Sequence, residues 1–188
     1  PDLAVCACLP LTEWQARTNG KVGTMAEAAV FGEIIFNVTS GLVSIAALTA
    51  AGAENLVGKV LVDVSNPLDF SMGMPPFLKP ELSVTSSVGE EIQKAFPEAL
   101  VVKAFNTVFA QNQGTGRIGD ERLTAFVAGD DAEAKTMVMS MMGSMGFDPV
   151  DSGPLRHAQY LEAMGLLLIK LAFEQGMGPS IGYRLVRK

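Results

Sequence analysis

The chain has 188 residues, of which 48% are apolar, and carries a formal net charge of −6 at pH 7. This length suits one domain with a sizeable core, and an acidic chain without a basic run is not expected to bind nucleic acid. Its most apolar window, residues 163–173, is far shorter than the roughly 20 residues that a membrane span needs. We therefore expect no membrane segment and a cytoplasmic location.

The cysteine content also indicates a cytoplasmic protein. Cys6 and Cys8 are the only cysteines, and His157 is the only histidine. Two cysteines cannot make a disulfide scaffold, and with one histidine they cannot complete a zinc site. We expect incidental thiols in a reducing compartment and no bound metal.

Predicted strands and helices alternate along the chain. Short apolar runs between turn residues predict buried strands over residues 33–38, 60–64, 100–105, 123–128 and 147–150. Apolar spacing and N-terminal capping signals predict helices over residues 24–31, 43–51, 87–96, 130–145 and 155–175. An apolar run over residues 3–9 is compatible with another short strand, and residues 12–17 with one or two helical turns. Residues 70–80, with three prolines, predict an irregular loop.

This alternation predicts an α/β fold, namely a Rossmann-like doubly wound parallel sheet with a long C-terminal helix over residues 155–177. We interpret residues 1–188 as one dinucleotide-binding domain. In such sheets, ligands bind outside the carboxyl ends of the strands.

Two predicted strand ends attract attention. Asn66-Pro67-Leu68 follows the strand 60–64, and Asn106-Thr107 follows the strand 100–105. Pro67 fixes the backbone where the first strand ends, and two polar ends at one edge predict a binding cleft. An alternative remains open, in which both asparagines only satisfy backbone groups at the strand ends.

Other polar and sulfur-containing residues favour ordinary structural roles. Lys103 follows apolar residues and is interpreted as a lysine at the rim of the protein, with its stem packed and its ammonium in water. His157 is interpreted as a surface or hydrogen-bonded residue rather than a general acid. The methionines of residues 137–145 are interpreted as core filler.

A glycine motif in residues 114–119 matches G-x-G-x-x-G letter for letter. A dinucleotide-binding motif must end a strand and open a helix, so that the helix N-terminus meets the pyrophosphate. Here a predicted strand follows the motif instead. We therefore interpret this segment as a flexible loop with no role in phosphate binding.

Four segments in this order and spacing resemble one protein family: Leu61-Val-Asp-Val-Ser-Asn-Pro-Leu68, Val101-Val-Lys-Ala-Phe-Asn-Thr107, Phe126-Val-Ala-Gly-Asp-Asp-Ala-Glu-Ala-Lys135 and Gly146-Phe-Asp-Pro-Val-Asp-Ser-Gly-Pro-Leu155. They resemble the NADP oxidoreductases of the deazaflavin-coenzyme-dependent type, over roughly residues 20–188. A similar Lys-Ala-Phe-Asn-Thr segment occurs in the cytosolic NADPH domain of the ferric-reductase membrane proteins.

The resemblance implies that NADP crosses three strand ends and exchanges a hydride with a deazaflavin or flavin. The residues that it implies for cofactor binding are Asn37, Val38 and Thr39 at the ribose–phosphate part, and Asn66, Pro67 and Leu68 towards the nicotinamide ribose. Ala104, Phe105, Asn106 and Thr107 would line the hydride-transfer face, with Lys103 entering that strand end. Direct hydride transfer requires no protein acid or base, so no catalytic residue is implied. The protein would orient the two partners and exclude water.

The family pattern also departs from this chain at its N-terminus. The family opens with a strand, a glycine-rich turn, a helix and a strand ending in Ser-Arg or Thr-Arg, and the chain carries none of these before residue 20. We expect an N-terminally incomplete domain in which the strand 33–38 has an exposed apolar edge. A complete protein in which residues 3–9 serve as a repurposed strand is the alternative.

The last predicted helix is apolar nearly all round, which is typical of a helix buried on more than one side. One side would cover the sheet and the other would form a homodimer with a second copy. Two alternative functions stay open beside hydride transfer to a deazaflavin. One is ferric or flavin reduction, and the other is a non-catalytic dimerisation module that cannot bind the cofactor.

Overall fold

A computed structural model of the protein describes residues 11–187. Its strands are β1 Ile34–Asn37, β2 Val60–Asp63, β3 Leu68–Asp69, β4 Phe77–Leu78, β5 Leu100–Lys103, β6 Arg117–Ile118, β7 Glu121–Arg122, β8 Thr124–Gly129 and β9 Asp148–Asp151. Its α-helices are α1 Leu11–Thr18, α2 Met25–Phe31, α3 Ser44–Ala51, α4 Val88–Ala95, α5 Ala110–Gln113, α6 Ala132–Ser144 and α7 Ala158–Phe173. The predicted strand over residues 3–9, with Cys6 and Cys8, lies outside the described residues.

The main sheet has the strand order β1-β2-β5-β8-β9. β1, β2 and β5 are parallel, and their last residues, Asn37, Asp63 and Lys103, lie side by side in register. Helices flank this sheet and a long helix ends the fold, so the predicted fold class is confirmed. Among residues 11–187, β1 is an edge strand that pairs with β2 alone.

One junction of the sheet differs from the prediction. β8 pairs with β5 in antiparallel orientation, while β9 is parallel to β8. A parallel connection needs a crossover, usually a helix, that returns the chain to the other end of the sheet. Between β5 and β8 the chain forms only the four-residue α5 and the β6–β7 hairpin. The chain therefore enters β8 from the end at which it left β5.

The predicted helix starts are confirmed by their hydrogen bonds. At α2, the Thr24 side chain accepts from the Glu27 backbone N–H, and the Thr24 backbone N–H donates to the Glu27 carboxylate. The side chains of Ser87 and Asp131 accept the backbone N–H groups of Glu90 and Ala134 and so cap α4 and α6. Each cap satisfies backbone groups that the helix itself leaves without a partner.

Two apolar clusters hold the layers together. On one face of the sheet, α3 and α4 pack on Leu61 and Val101. On the other face, α6 packs on Val62 and Val102, and the wholly buried Met142 lies in this second cluster. The interpretation of the methionines as core filler is thus confirmed for Met142 and its partly buried neighbours.

The last helix is shorter than the predicted range of residues 155–177. A 3₁₀ turn occupies Leu155–His157, and α7 ends at Phe173. Beyond it, backbone N–H groups of residues 174–178 bond back to carbonyls of the last helical turn, and Gly176 and Gly178 adopt left-handed backbone angles. This glycine-assisted termination ends the helix early. Among residues 11–187, no helix has the length and apolar character that crossing a bilayer requires.

Candidate functional site

Three polar side chains stand in a row where the parallel strands end. Asn37, Asp63 and Lys103 are the last residues of β1, β2 and β5, and they are 3%, 0% and 0% exposed. The Asn37 side-chain amide donates to the Asp63 carboxylate at 2.9 Å. A buried polar row at the carboxyl edge contrasts with the apolar residues that precede each of its members.

Lys103 is the member of this row on β5, next to Asp63, and it is completely buried. Its ammonium donates to Asp63 Oδ2 at 2.7 Å, to the Ser65 carbonyl at 2.5 Å and to Glu162 Oε1 at 2.6 Å. The interpretation of Lys103 as a rim lysine was therefore wrong. Burial by itself lowers the pKa of Lys103, but attraction to the Asp63 and Glu162 carboxylates outweighs it and raises that pKa.

We call Asp63, Lys103 and Glu162 the buried charge cluster. Glu162 comes from α7 and is 0% exposed, and it accepts the backbone N–H of Val88, the first residue of α4, at 3.0 Å. Burial raises the pKa of Glu162, and repulsion from Asp63 adds to this against the attraction of Lys103. The cluster joins β2, β5, α4 and α7 directly beneath the strand ends.

The two predicted asparagines are brought together above the cluster. Asn106 Nδ2 donates to Asn66 Oδ1 at 2.9 Å, and Asn66 Nδ2 donates to the Asn106 carbonyl at 3.0 Å. Asn106 Nδ2 also donates to the Leu161 carbonyl of α7 at 2.8 Å. A Cβ on Gly165 would lie 2.9 Å from both Asn66 Oδ1 and the Asn106 carbonyl, so only glycine lets α7 pack this closely. These bonds also satisfy backbone carbonyls, as the alternative interpretation of both asparagines expected.

The turn after β1 meets the same strand end. Asn37 Oδ1 accepts from the Thr39 hydroxyl at 2.7 Å, and Asn37 Nδ2 also donates to Ser44 Oγ at 2.9 Å. The Gly41 N–H donates to the Asn66 carbonyl, and a Cβ at Gly41 would come within 2.5 Å of that oxygen. All three predicted strand ends are thus in contact.

The remaining predicted residues differ in how accessible they are. Val38 is exposed and Leu68 half-buried, whereas Pro67 and residues 104–107 are buried. The Phe105 ring packs between core aromatic rings, and its backbone adopts a left-handed φ of 63°, which is rare for a bulky residue. A cofactor over this segment would therefore meet the tip through its backbone and neighbouring polar groups rather than through the Phe105 ring.

Two buried oxygens at this tip lack hydrogen-bond partners among residues 11–187. They are Asn106 Oδ1 and the Thr107 hydroxyl oxygen, on residues that are 6% and 1% exposed. Buried polar atoms without partners cost free energy, and in native proteins they concentrate at sites that await a ligand or a movement. Unsatisfied acceptors beside a reciprocal asparagine pair fit a ligand that presents hydrogen-bond donors.

The glycine motif of residues 114–119 lies elsewhere: it follows α5 and includes β6 and the start of the β6–β7 turn. Gly116 and Gly119 adopt left-handed angles that suit turns, and no helix follows the motif. The prediction that this motif does not open a helix is therefore confirmed. His157 is half-buried with Nδ1 2.5 Å from the Ser152 carbonyl, as expected for a hydrogen-bonded structural residue.

Sequence reasoning missed Asp63, Ser65 and Glu162 as parts of this site. Asp63 is a charged residue in an otherwise apolar strand, and it lies opposite Lys103 on the neighbouring strand. This pairing of opposite charges could have been recognised from the sequence. Glu162 is separated from Lys103 by 59 residues, and only its place on the buried face of an apolar helix marks it. Charges inside apolar runs are rarely buried without partners.

The chain is similar to proteins whose sequences or structures are known, although no protein-family model matches it. A solved structure from Arthrobacter sp. FB24, provisionally named as an F420-dependent NADP-reductase, is 40% identical with a TM-score of 0.88, covering 97% of this chain and 83% of that one. Metalloreductase STEAP3 of Rattus norvegicus is 39% identical over 118 residues, or 62% of this chain and 22% of its own length. Metalloreductase STEAP2 of Homo sapiens is 31% identical over 116 residues, or 62% of this chain and 21% of its own length. The chain therefore spans about a fifth of the length of these curated relatives.

Proposed function

Because the chain belongs to the family of F420-dependent NADP reductases, we propose that it is an NADP(H)-dependent oxidoreductase that transfers a hydride between the nicotinamide and a deazaflavin or flavin-type partner. The observation that carries this proposal is the convergence of three strand ends around Asn66 and Asn106, with unsatisfied acceptors on Asn106 and Thr107. Carboxyl strand ends are where α/β sheets bind dinucleotides.

The chain's own residues would hold and orient the cofactor. Thr39 and the turn around Gly41 would flank the ribose–phosphate part, and Asn66 the nicotinamide ribose. Asn106 and Thr107 would meet the nicotinamide end. NADP, when bound, supplies the hydride or accepts it. The protein's contribution would be a fixed tip, held from beneath by the buried charge cluster, and a surface that keeps water from the reacting face.

The start of α3 supports an anionic ligand on the turn after β1. Its N-cap residue, Val43, makes no side-chain hydrogen bond to the helix. The first backbone N–H groups of α3 therefore lack the side-chain acceptor that usually satisfies them, and such groups favour phosphate. This turn would take the phosphate-bearing part of the cofactor.

Two hydride acceptors compete. The solved relative named for F420 favours a deazaflavin. The two metalloreductase relatives favour the second candidate, which is electron delivery through a flavin to ferric iron. Each of them matches only 62% of this chain, and the match covers 22% and 21% of their own length. We rank the deazaflavin first because its supporting relative matches nearly the whole chain.

We also propose that the chain forms a homodimer through α7. This helix buries Leu161, Leu168 and Ala172 against the rest of the protein, while Leu167 and Phe173 are 51% and 53% exposed. Apolar side chains on the outer side of a helix are typical of an isologous contact. Light scattering at micromolar concentration should give the mass of two chains, and Leu167→Lys should give the mass of one. A monomer mass for the unaltered chain would contradict the dimer.

The proposed function is tested by calorimetric titration of NADPH, followed by assays with F420, FMN and ferric citrate as acceptors. Micromolar binding and oxidation of NADPH by F420 would support the first candidate, and turnover with FMN or ferric citrate alone the second. Absence of NADPH binding would contradict both and leave the non-catalytic dimerisation module. The cytoplasmic location stays a prediction, which cell fractionation would test.

A further inference from the structure

The buried charge cluster has one more negative charge than positive. Asp63 and Glu162 each carry a carboxylate, Lys103 carries one ammonium, and all three side chains are 0% exposed. Excess charge inside a protein is costly to hold. A glutamine at Glu162 would make the cluster neutral, and its one amide oxygen could still accept from Lys103 and Val88, as Glu162 Oε1 does.

Both carboxylates are surrounded by hydrogen-bond donors. Among residues 11–187, Glu162 is bonded only by donors, the Lys103 ammonium and the Val88 N–H. Asp63 accepts from the Asn37 amide, from the N–H and hydroxyl of Ser65 and from Lys103. At Glu162 these donated bonds favour the charged form and oppose the effect of burial, which raises its pKa.

The cluster lies immediately behind the two asparagines of the strand ends. Lys103 donates to the carbonyl of Ser65, the residue before Asn66. Leu161, whose carbonyl accepts from Asn106, is the residue before Glu162. The cluster is therefore linked to both asparagines through residues that are next to them or bonded to them.

We infer that the buried charge cluster favours the oxidised nicotinamide over the reduced one, with Glu162 supplying the excess negative charge. This rests on the proposed function, which brings a nicotinamide to these strand ends. The oxidised ring carries one positive charge and the reduced ring carries none, so a fixed negative charge nearby stabilises only the oxidised form. Glu162 would act on the cofactor's redox balance without touching it.

The size of the effect follows from Coulomb's law. Two unit charges about 15 Å apart, at an effective dielectric constant of about 20, interact by ~1 kcal/mol. That corresponds to about a fivefold change in relative affinity. Because the charge is buried, salt should screen it far less than it screens a surface charge.

The test compares the affinities of NADP⁺ and NADPH for the unaltered chain and for Glu162→Gln. The variant keeps acceptors for Lys103 and Val88 and removes only the charge. The ratio of the NADP⁺ to the NADPH dissociation constant should rise about fivefold. Glu133→Gln, which removes an exposed acidic charge in the first turn of α6, is the matched control and should leave the ratio unchanged.

Each outcome bears on the inference. A Glu162→Gln ratio equal to that of the unaltered chain, with both nucleotides still bound, would overturn it and leave the proposed function intact. Failure of the unaltered chain to bind either nucleotide would overturn both. A second measurement needs no variant: the ratio for the unaltered chain should persist between about 0.05 and 0.5 M salt. A ratio that collapses with salt would assign the effect to exposed charges and contradict the inference.

Discussion

Replacing Lys103 with methionine should strongly destabilise the protein. Methionine fills much of the same volume but removes the three hydrogen bonds that the ammonium donates to Asp63, Ser65 and Glu162. Two carboxylates that are 0% exposed would then face each other without a cation. The remaining donors, on Asn37, Ser65 and Val88, would compensate only in part.

The magnitude follows from this geometry. Removing one partner of a buried ion pair typically costs about 3–5 kcal/mol, and the upper end is expected here because two carboxylates lose the same cation. For a chain of this size, ~1 kcal/mol corresponds to about 2–4 °C in melting temperature. The Lys103→Met variant should therefore melt roughly 6–20 °C lower. Its deficit should shrink as the pH is lowered, because protonating Glu162 removes one of the unpaired charges.

The assay is urea unfolding followed by circular dichroism, with Lys94→Met as the matched control. Lys94 pairs with Glu91 on the surface, and its side chain is 65% exposed. Exposed pairs contribute about 0–1 kcal/mol, so this variant should unfold almost as the unaltered chain does. If Lys103→Met and Lys94→Met lost the same small free energy of unfolding, the buried charge cluster would not be the stabilising centre described here.

The remaining predictions concern α7. Gly165→Ala should cost about 1–3 kcal/mol of stability and weaken NADPH binding, because its Cβ would press on Asn66 and Asn106. Gly143→Ala on α6, where a Cβ meets nothing within 4 Å, is the control and should stabilise by up to ~1 kcal/mol; equal effects in both variants would contradict the close packing. Burial raises the pKa of Glu162 above its ordinary value of 4.5, so the folded chain binds this proton more tightly than the unfolded chain does. Proton binding therefore stabilises the folded chain, and this stabilisation is lost as the pH rises through the raised pKa. Glu162→Gln has no such proton to lose. Its free energy of unfolding, compared with that of the unaltered chain, should therefore increase from pH 4.5 towards neutral. A decrease of this difference over the same range would refute a raised pKa at Glu162.

Local signals in the sequence were sufficient for much of the fold. Helix starts at Thr24, Ser87 and Asp131 depend on a side chain bonding to a backbone group three residues away, which the sequence displays directly. Strand ends were predictable because apolar runs stop at turn residues, as at Asn66. The direction of β8 was not predictable in this way, since it depends on whether the chain crosses back over the sheet.

The position of the site was predictable from the sequence, but the buried charged groups beneath it were not. Asn66 and Asn106 were identified because each follows a strand, and parallel strands end at one edge. The partners of Lys103 lie 40 and 59 residues away, so its burial depends on strand register and on the packing of α7. The inward turn of Phe105 depends on a left-handed backbone angle that propensity does not predict for phenylalanine.

The central claim is that the three strand ends form the NADP(H) site. The most direct test is a ¹H–¹⁵N nuclear magnetic resonance titration of the chain with NADPH. We predict that the amide signals of residues 37–41, 66, 68 and 104–107 shift first and most. Unchanged signals there, or shifts confined to the far edge of the sheet around β9, would contradict the site proposed here.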